Sequence, residues 1–191
     1  MGIFSQIYDR VLRWSRHRHA PYYLAGVSFA ESSFFPVPPD VMLASMTLAN
    51  PDRAWWYALL TTLSSVVGGL VGYLIGALFF ELAASYMSYL GYETAYQTVH
   101  QWFTQWGFWI VFVAGFSPIP YKLFTIAAGA MHMALLPFVA ASLIARGARF
   151  FLVAGLLYLG GEKFETHLRR YIDWLGWLVV VLAVVGYFIF W

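Results

Sequence analysis

The chain has no cysteine among its 191 residues. Disulfides, thiolate metal sites, iron–sulfur clusters and a cysteine nucleophile are therefore excluded. Charge is almost as scarce, with Asp, Glu, Lys and Arg making up 10% of the residues, against about a quarter in a soluble domain. So few ionised groups cannot cover a water-facing surface, which excludes a soluble globule, a disordered chain and a coiled coil. A formal net charge of +2 is too small to point to a nucleic acid as partner. What is abundant is apolar: 61% of the residues are hydrophobic and 20% aromatic, and the mean hydropathy is +0.68. The solvent for such a surface is lipid, and the expected class is an all-α polytopic membrane protein.

Residues 1–19 set Arg10, Arg13, Arg16, Arg18, His17 and His19 among Ile3, Phe4, Ile7, Val11 and Trp14 at helical spacing. This is the pattern of a basic amphipathic helix lying on an anionic leaflet. A secretory signal is the rival reading, but the apolar run that follows is short, ends at Glu31 and leads to no small-x-small cleavage site.

Crossing the hydrocarbon layer takes roughly 20 apolar residues. Residues 20–49 are numerous enough, yet Glu31, Pro36, Pro38, Pro39 and Asp40 cut them into halves that each reach only mid-bilayer. A re-entrant hairpin with helix-breaking prolines at its tip is expected, returning to its starting side. Residues 54–80 carry no charge and are expected to cross, with Gly68, Gly72 and Gly76 on one face where another helix approaches closely. Residues 81–106 are expected to be an aromatic connecting loop. A second hairpin is expected over 107–132, broken at Pro118-Ile119-Pro120-Tyr121-Lys122, followed by a crossing over 135–161 and a charged cytoplasmic loop over 162–173. A last crossing over 174–191 has tryptophan at both ends.

Counting cations tests this sidedness. If neither hairpin crosses, one side holds Arg10, Arg13, Arg16, Arg18, Arg53, Lys163, Arg169 and Arg170, and the other side holds none. Lys122, Arg146 and Arg149 lie in the membrane. The positive-inside rule then sets the N-terminus in the cytoplasm and the C-terminus outside.

Pro36-Val37-Pro38-Pro39-Asp40 and Pro118-Ile119-Pro120-Tyr121-Lys122 align at an offset of 82 residues, with an acid opposite a base. One crossing separates the two hairpins, so they enter from opposite faces. That is an inverted-topology repeat, a pointer to a transporter's midplane site.

Taken in order, Glu31, Pro36, Pro38 and Asp40, the glycine-rich crossing, Pro118 and Pro120 leading to Ala128-Gly129, and the later Arg146 and Arg149 resemble the DedA family of membrane proteins. The likeness covers residues 20–162 or so, and the core domain is shared with related eukaryotic proteins. The resemblance implies two opposed re-entrant hairpins in a bacterial cytoplasmic membrane. It also implies movement of phospholipid or polyprenyl-phosphate headgroups across the bilayer, coupled to the proton gradient. The family's second loop often carries arginine where this chain has Lys122, which keeps the charge and loses the bidentate fork.

Glu31, Asp40, Lys122, Arg146 and Arg149 are the ionisable groups expected at membrane depth. Each would cost about 2.5–3.5 kcal/mol alone at the bilayer centre, so they are expected to converge. Two anions against three cations leave one positive charge, which suits a phosphate monoanion. Arg146, Arg149 and Lys122 are the candidate phosphate ligands, and Glu31 and Asp40 the candidate proton-coupling groups. In the expected exchange, carboxylates hold the arginines until phosphate displaces them. The same residues read more plainly as structural salt bridges that pin the hairpin tips.

A proton-coupled carrier of a small solute would use the same charges, and a scaffold without transport would offer the aromatic stretch over residues 81–106 as its partner surface. There is no H-E-x-x-H, G-x-S-x-G or G-x-x-x-x-G-K-[ST] motif, so neither an enzyme nor a metal or other cofactor is expected. Membrane lipids are the expected partners, and the oligomeric state is left open.

Overall fold

The computed structural model describes residues 17, 19–33, 39–89, 93–117, 119–160, 178, 181 and 185. Apart from the few of these that fall within them, the basic helix expected over 1–19, the loop over 162–173 and the crossing over 174–191 lie outside the described residues. So do Pro36, Pro38 and Pro118. Among the described residues there are six α-helices and no strand.

Helix α1 (Ala20–Ser33) and helix α2 (Pro39–Ala49) have 14 and 11 residues. At 1.5 Å per residue they are roughly 21 and 16 Å long, each short of a hydrocarbon layer of about 30 Å. Pro39 opens α2, where its missing N–H is no loss, and Asp40 sits in the first turn beside the positive end of the helix dipole. Pro51 ends that stretch and starts a single 3-10 turn, Pro51–Arg53.

Helix α3 (Ala54–Tyr89) has 36 residues and helix α4 (Glu93–Phe116) has 24. Residues 81–106, expected as a connecting loop, are thus helical on both sides of residues 90–92, and the helix that leads to Ser117 begins at Glu93 rather than at 107. The reason lies in the face pattern. Val99, Phe103, Gly107, Val111 and Ala114 turn inward at helical spacing while Gln97, Gln101, Thr104 and Gln105 face outward. Helix α5 (Tyr121–Ala130) and helix α6 (Leu135–Gly160) complete the order. The turn between them places His132 at φ 52°, with its N–H bonded to Gly129 O and that of Met133 to Ala128 O. This is a Schellman cap carrying histidine where glycine is usual.

The spans Pro51–Phe80 and Leu135–Gly160 are the two described stretches long and apolar enough to cross a membrane. They run antiparallel: Trp55 meets Phe151 and Tyr158 at one end, and Tyr73 stacks near Phe138 at the other. Leu59, Leu63, Val67, Leu74 and Leu78 form an exposed apolar stripe along α3. Exposed aromatic residues gather at both ends, Tyr22, Tyr23, Trp55, Trp56 and Tyr158 at the first and Trp102 and Trp106 toward the second. That distribution matches the aromatic belts of a membrane protein.

Two apolar cores sit one beyond the other along the α3–α6 pair. The first joins Leu24, Met42, Leu43 and Met46 to Tyr57, Phe150 and Leu157. The second joins Phe103, Val111, Tyr121 and Ala128 to Met133 and Phe138. The glycine face of α3 serves both. A Cβ on Gly68 would meet the Phe29 carbonyl of α1, one on Gly76 the Ile126 carbonyl of α5, and one on Gly72 the Thr125 hydroxyl.

Candidate functional site

Arg146 and Arg149 lie near the middle of α6, one helical turn apart, at the seam between the two cores. The Arg146 guanidinium is sandwiched between the ring of Tyr121, 5.0 Å away, and that of Phe150, 4.7 Å away. Tyr121 belongs to the second core and Phe150 to the first. A planar, weakly hydrated cation is suited to such a slot, where lysine would not be.

The Arg146 Nη2 donates to Glu31 Oε2 at 2.5 Å, and its Nε donates to Ser65 Oγ at 2.7 Å. Ser65 Oγ lies 2.7 Å from Ser32 Oγ, and Ser32 Oγ is 3.1 Å from Glu31 Oε2. Arg146 is 3% exposed and Glu31 19%, so this is a deeply placed pair, and Nη2 also lies 3.4 Å from Ser32 Oγ. Ser65 is as far from Ala54 along α3 as Arg146 is from Leu135 along α6, eleven residues in each case. The contact is therefore near the middle of α6 and of the apolar span Pro51–Phe80 of the α3 stretch. Tyr121 is fixed in turn through its hydroxyl, which donates to Ser142 Oγ at 2.5 Å, itself bonded to Phe138 O.

Arg149 makes the second pair. Its Nη2 reaches Asp40 Oδ2 at 3.0 Å and its Nε reaches Oδ1 at 3.4 Å, while Nη1 donates to Ser117 O at 2.8 Å. Arg149 is 13% exposed and Asp40 26%. One guanidinium thus joins the first turn of α2 to the carbonyl end of α4, where the unpaired C=O groups and the helix dipole favour a cation.

Of the candidate residues, Glu31, Asp40, Arg146 and Arg149 are brought together. Lys122 lies half-buried next to Tyr121 at the start of α5, and neither ion pair includes it. Pro120 precedes α5 at φ −59° and ψ 103°, directing the chain into the helix. Ser32, Ser65, Tyr121 and Phe150 are site residues that sequence reasoning missed. Hydroxyls and rings in an apolar chain read as packing, and only the Ser28, Ser32 and Thr61, Ser65 spacing hinted at facing polar positions. No group of three or more His, Cys, Asp or Glu that could hold a metal ion occurs among the described residues.

Two long apolar helices with lipid-facing stripes, closed around a buried charged seam, define a helical membrane protein. The chain belongs to the VTT domain family, the domain of the DedA family, and matches that domain over residues 35–159. It is 49% identical over 189 residues to an uncharacterized protein of Haemophilus influenzae, with 99% of this chain and 98% of the relative covered. It is 47% identical over 189 residues to an uncharacterized protein of Histophilus somni, with 99% of each covered. No solved structure matches the chain.

Proposed function

We propose that the protein is a proton-coupled transporter of the bacterial cytoplasmic membrane that moves lipid phosphate headgroups, of phospholipid or polyprenyl phosphate, across the bilayer. No covalent chemistry is part of this reading. The observation that carries it is the meeting of helix ends at mid-length of α6: the end of α1 at Glu31, the start of α2 at Asp40 and the end of α4 at Ser117 all reach Arg146 or Arg149.

Helix ends at the level of a crossing's midpoint are what two re-entrant pairs entering from opposite faces produce. Three further contacts support that inverted arrangement. Tyr57 at the start of α3 shares a core with α1 and α2, His132 beyond α5 packs on Phe80 at 5.5 Å, and Gly107 of α4 faces Met133. Broken helices at such depth are tolerated where they line a protein-enclosed site.

In this reading the empty site keeps both guanidiniums on carboxylates. A phosphate group competes for the same planar donors, and a proton on Glu31 or Asp40 removes the competitor. The N-terminus lies in the cytoplasm, following the basic residues.

The test is reconstitution of the wild type and of R146A+R149A in vesicles containing fluorescent phospholipids and a polyprenyl phosphate. The wild type is expected to move at least one labelled lipid in a pH-dependent way, and the variant to move none. Folded proteins that behave alike for every lipid would overturn the reading. Uptake of a soluble phosphate ester without lipid movement would favour a small-solute carrier instead.

A further inference from the structure

We propose that Ser65 and Ser32 are positioning residues which join Arg146 to Glu31 in a one-way ring of hydrogen bonds, tying the protonation of Glu31 to the hold on Arg146. Its use in transport rests on the exchange described above; its existence rests on geometry alone.

Donor bookkeeping sets the direction. The Arg146 Nε is a donor only, so Ser65 Oγ accepts from it at 2.7 Å. Each hydroxyl has one proton. That of Ser65 goes to Ser32 Oγ at 2.7 Å, and that of Ser32 to Glu31 Oε2 at 3.1 Å. The Arg146 Nη2 donates to the same carboxylate oxygen and closes the ring. The reverse orientation would bring two protons to Ser65 Oγ and take a donor from Glu31, at a place where both serines are fully buried.

The serines are set apart from their neighbours by where their hydroxyls go. Ser33, Ser45, Thr61 and Thr62 each bond the carbonyl four residues back in their own helix, the usual refuge of a hydroxyl in an apolar helix. Ser32 and Ser65 bond sideways instead, to each other and to the ion pair. Helix α3 therefore brings no charge to the site and still takes part in it through Ser65.

The ring has one direction only while Glu31 Oε2 accepts. A proton on that oxygen turns an acceptor into a donor, so Nη2 loses its charged partner and keeps only the longer contact to Ser32 Oγ at 3.4 Å, and the Ser32 hydroxyl must turn. The change reaches one edge of the guanidinium directly and the other through two hydroxyls. Among the described residues, the ionisable groups set beside Glu31 include Arg146 from α6 and Tyr121 from α5, with the Asp40–Arg149 pair next to them and Lys122 following Tyr121 on α5.

The test is the pH profile of thermal unfolding in detergent for the wild type, E31Q, S32A, S65A and S32A+S65A. The part of the profile that E31Q removes is the Glu31 step. S32A is expected to move that step toward higher pH by about one unit, the worth of one lost hydrogen bond to a carboxylate. S65A is expected to move it the same way although Ser65 does not touch Glu31, and the double variant no further than S32A alone. S65T, which keeps the hydroxyl, is expected to keep the wild-type step. An S65A step that stays in place, or shifts that add in the double variant, would overturn the ring. Should S65A fail to fold, S65C serves, with an intermediate shift expected and an unmoved step counting against the proposal. These profiles need no transported molecule, so a wild type that moves no labelled lipid removes the exchange reading while they still decide the ring.

Discussion

Gly76 of α3 and Gly129 of α5 lie against each other's backbone: a Cβ on Gly76 would run into the Ile126 carbonyl, and one on Gly129 into the Tyr73 carbonyl. Helices cross this closely only where both lack a side chain, and backbone cannot give way as a flexible side chain can. G76A and G129A are each expected to destabilise the protein by about 1–3 kcal/mol or more, read as a lowered unfolding temperature in detergent. G26A is the contrast. Nothing lies within 4 Å of its added Cβ, so alanine in that helix should raise stability by roughly 0.5–1 kcal/mol.

The two ion pairs are expected to differ in weight. R146A leaves the Glu31 carboxylate without its cation and empties the slot between Tyr121 and Phe150, a loss of about 3–5 kcal/mol for breaking a buried pair from one side. D40N removes the charge from a more exposed pair that keeps the Ser117 carbonyl as an anchor for Arg149. Its cost should be about 1.5–3 kcal/mol, the range for a hydrogen bond to a charged group. Unfolding temperatures of the two variants in one detergent measure the order.

His132 occupies a left-handed conformation at φ 52° in the cap that ends α5. Glycine adopts that conformation without the strain of about 1–2 kcal/mol that a side chain meets there, so H132G should stabilise the protein by that amount less the added entropy of the unfolded chain and whatever the ring contributes on Phe80. H132V should lower the unfolding temperature, because a β-branched residue is most strained there.

Because the chain has no cysteine, a single introduced thiol reports on one place at a time. In sealed vesicles of uniform orientation, Y22C and D52C should react with a membrane-impermeant maleimide from the same side, and Q101C from the opposite side. Labelling of Y22C and D52C from opposite sides would mean that the α1–α2 pair crosses the bilayer and would remove the inverted arrangement.

The four paired charges were legible because lipid leaves an ionised side chain few choices: Glu31, Asp40, Arg146 and Arg149 had to find one another. The glycine face of α3 was legible for the same kind of reason, since Gly68, Gly72 and Gly76 at four-residue spacing serve little purpose except close approach. The pairing itself was not legible. Nothing in spacing alone assigns Arg146 to Glu31 and Arg149 to Asp40, because both carboxylates stand within reach of one helical turn. Ser65 and Tyr121 stayed hidden because a hydroxyl or a ring is ordinary packing until its partner is known. Residues 81–106 were misread because a fall in hydropathy marks where a helix changes its surroundings, while the helix ends only where backbone bonding ends.

Arg146 and Arg149 sit one turn apart on a single rigid helix, and between them they touch α1, α2, α3, α4 and α5. A rotation of α6 that drew one guanidinium off Glu31 would draw the other off Asp40 in the same motion. Release by movement of the helix is therefore one step for both carboxylates, whereas a proton on one carboxylate acts on one arginine alone.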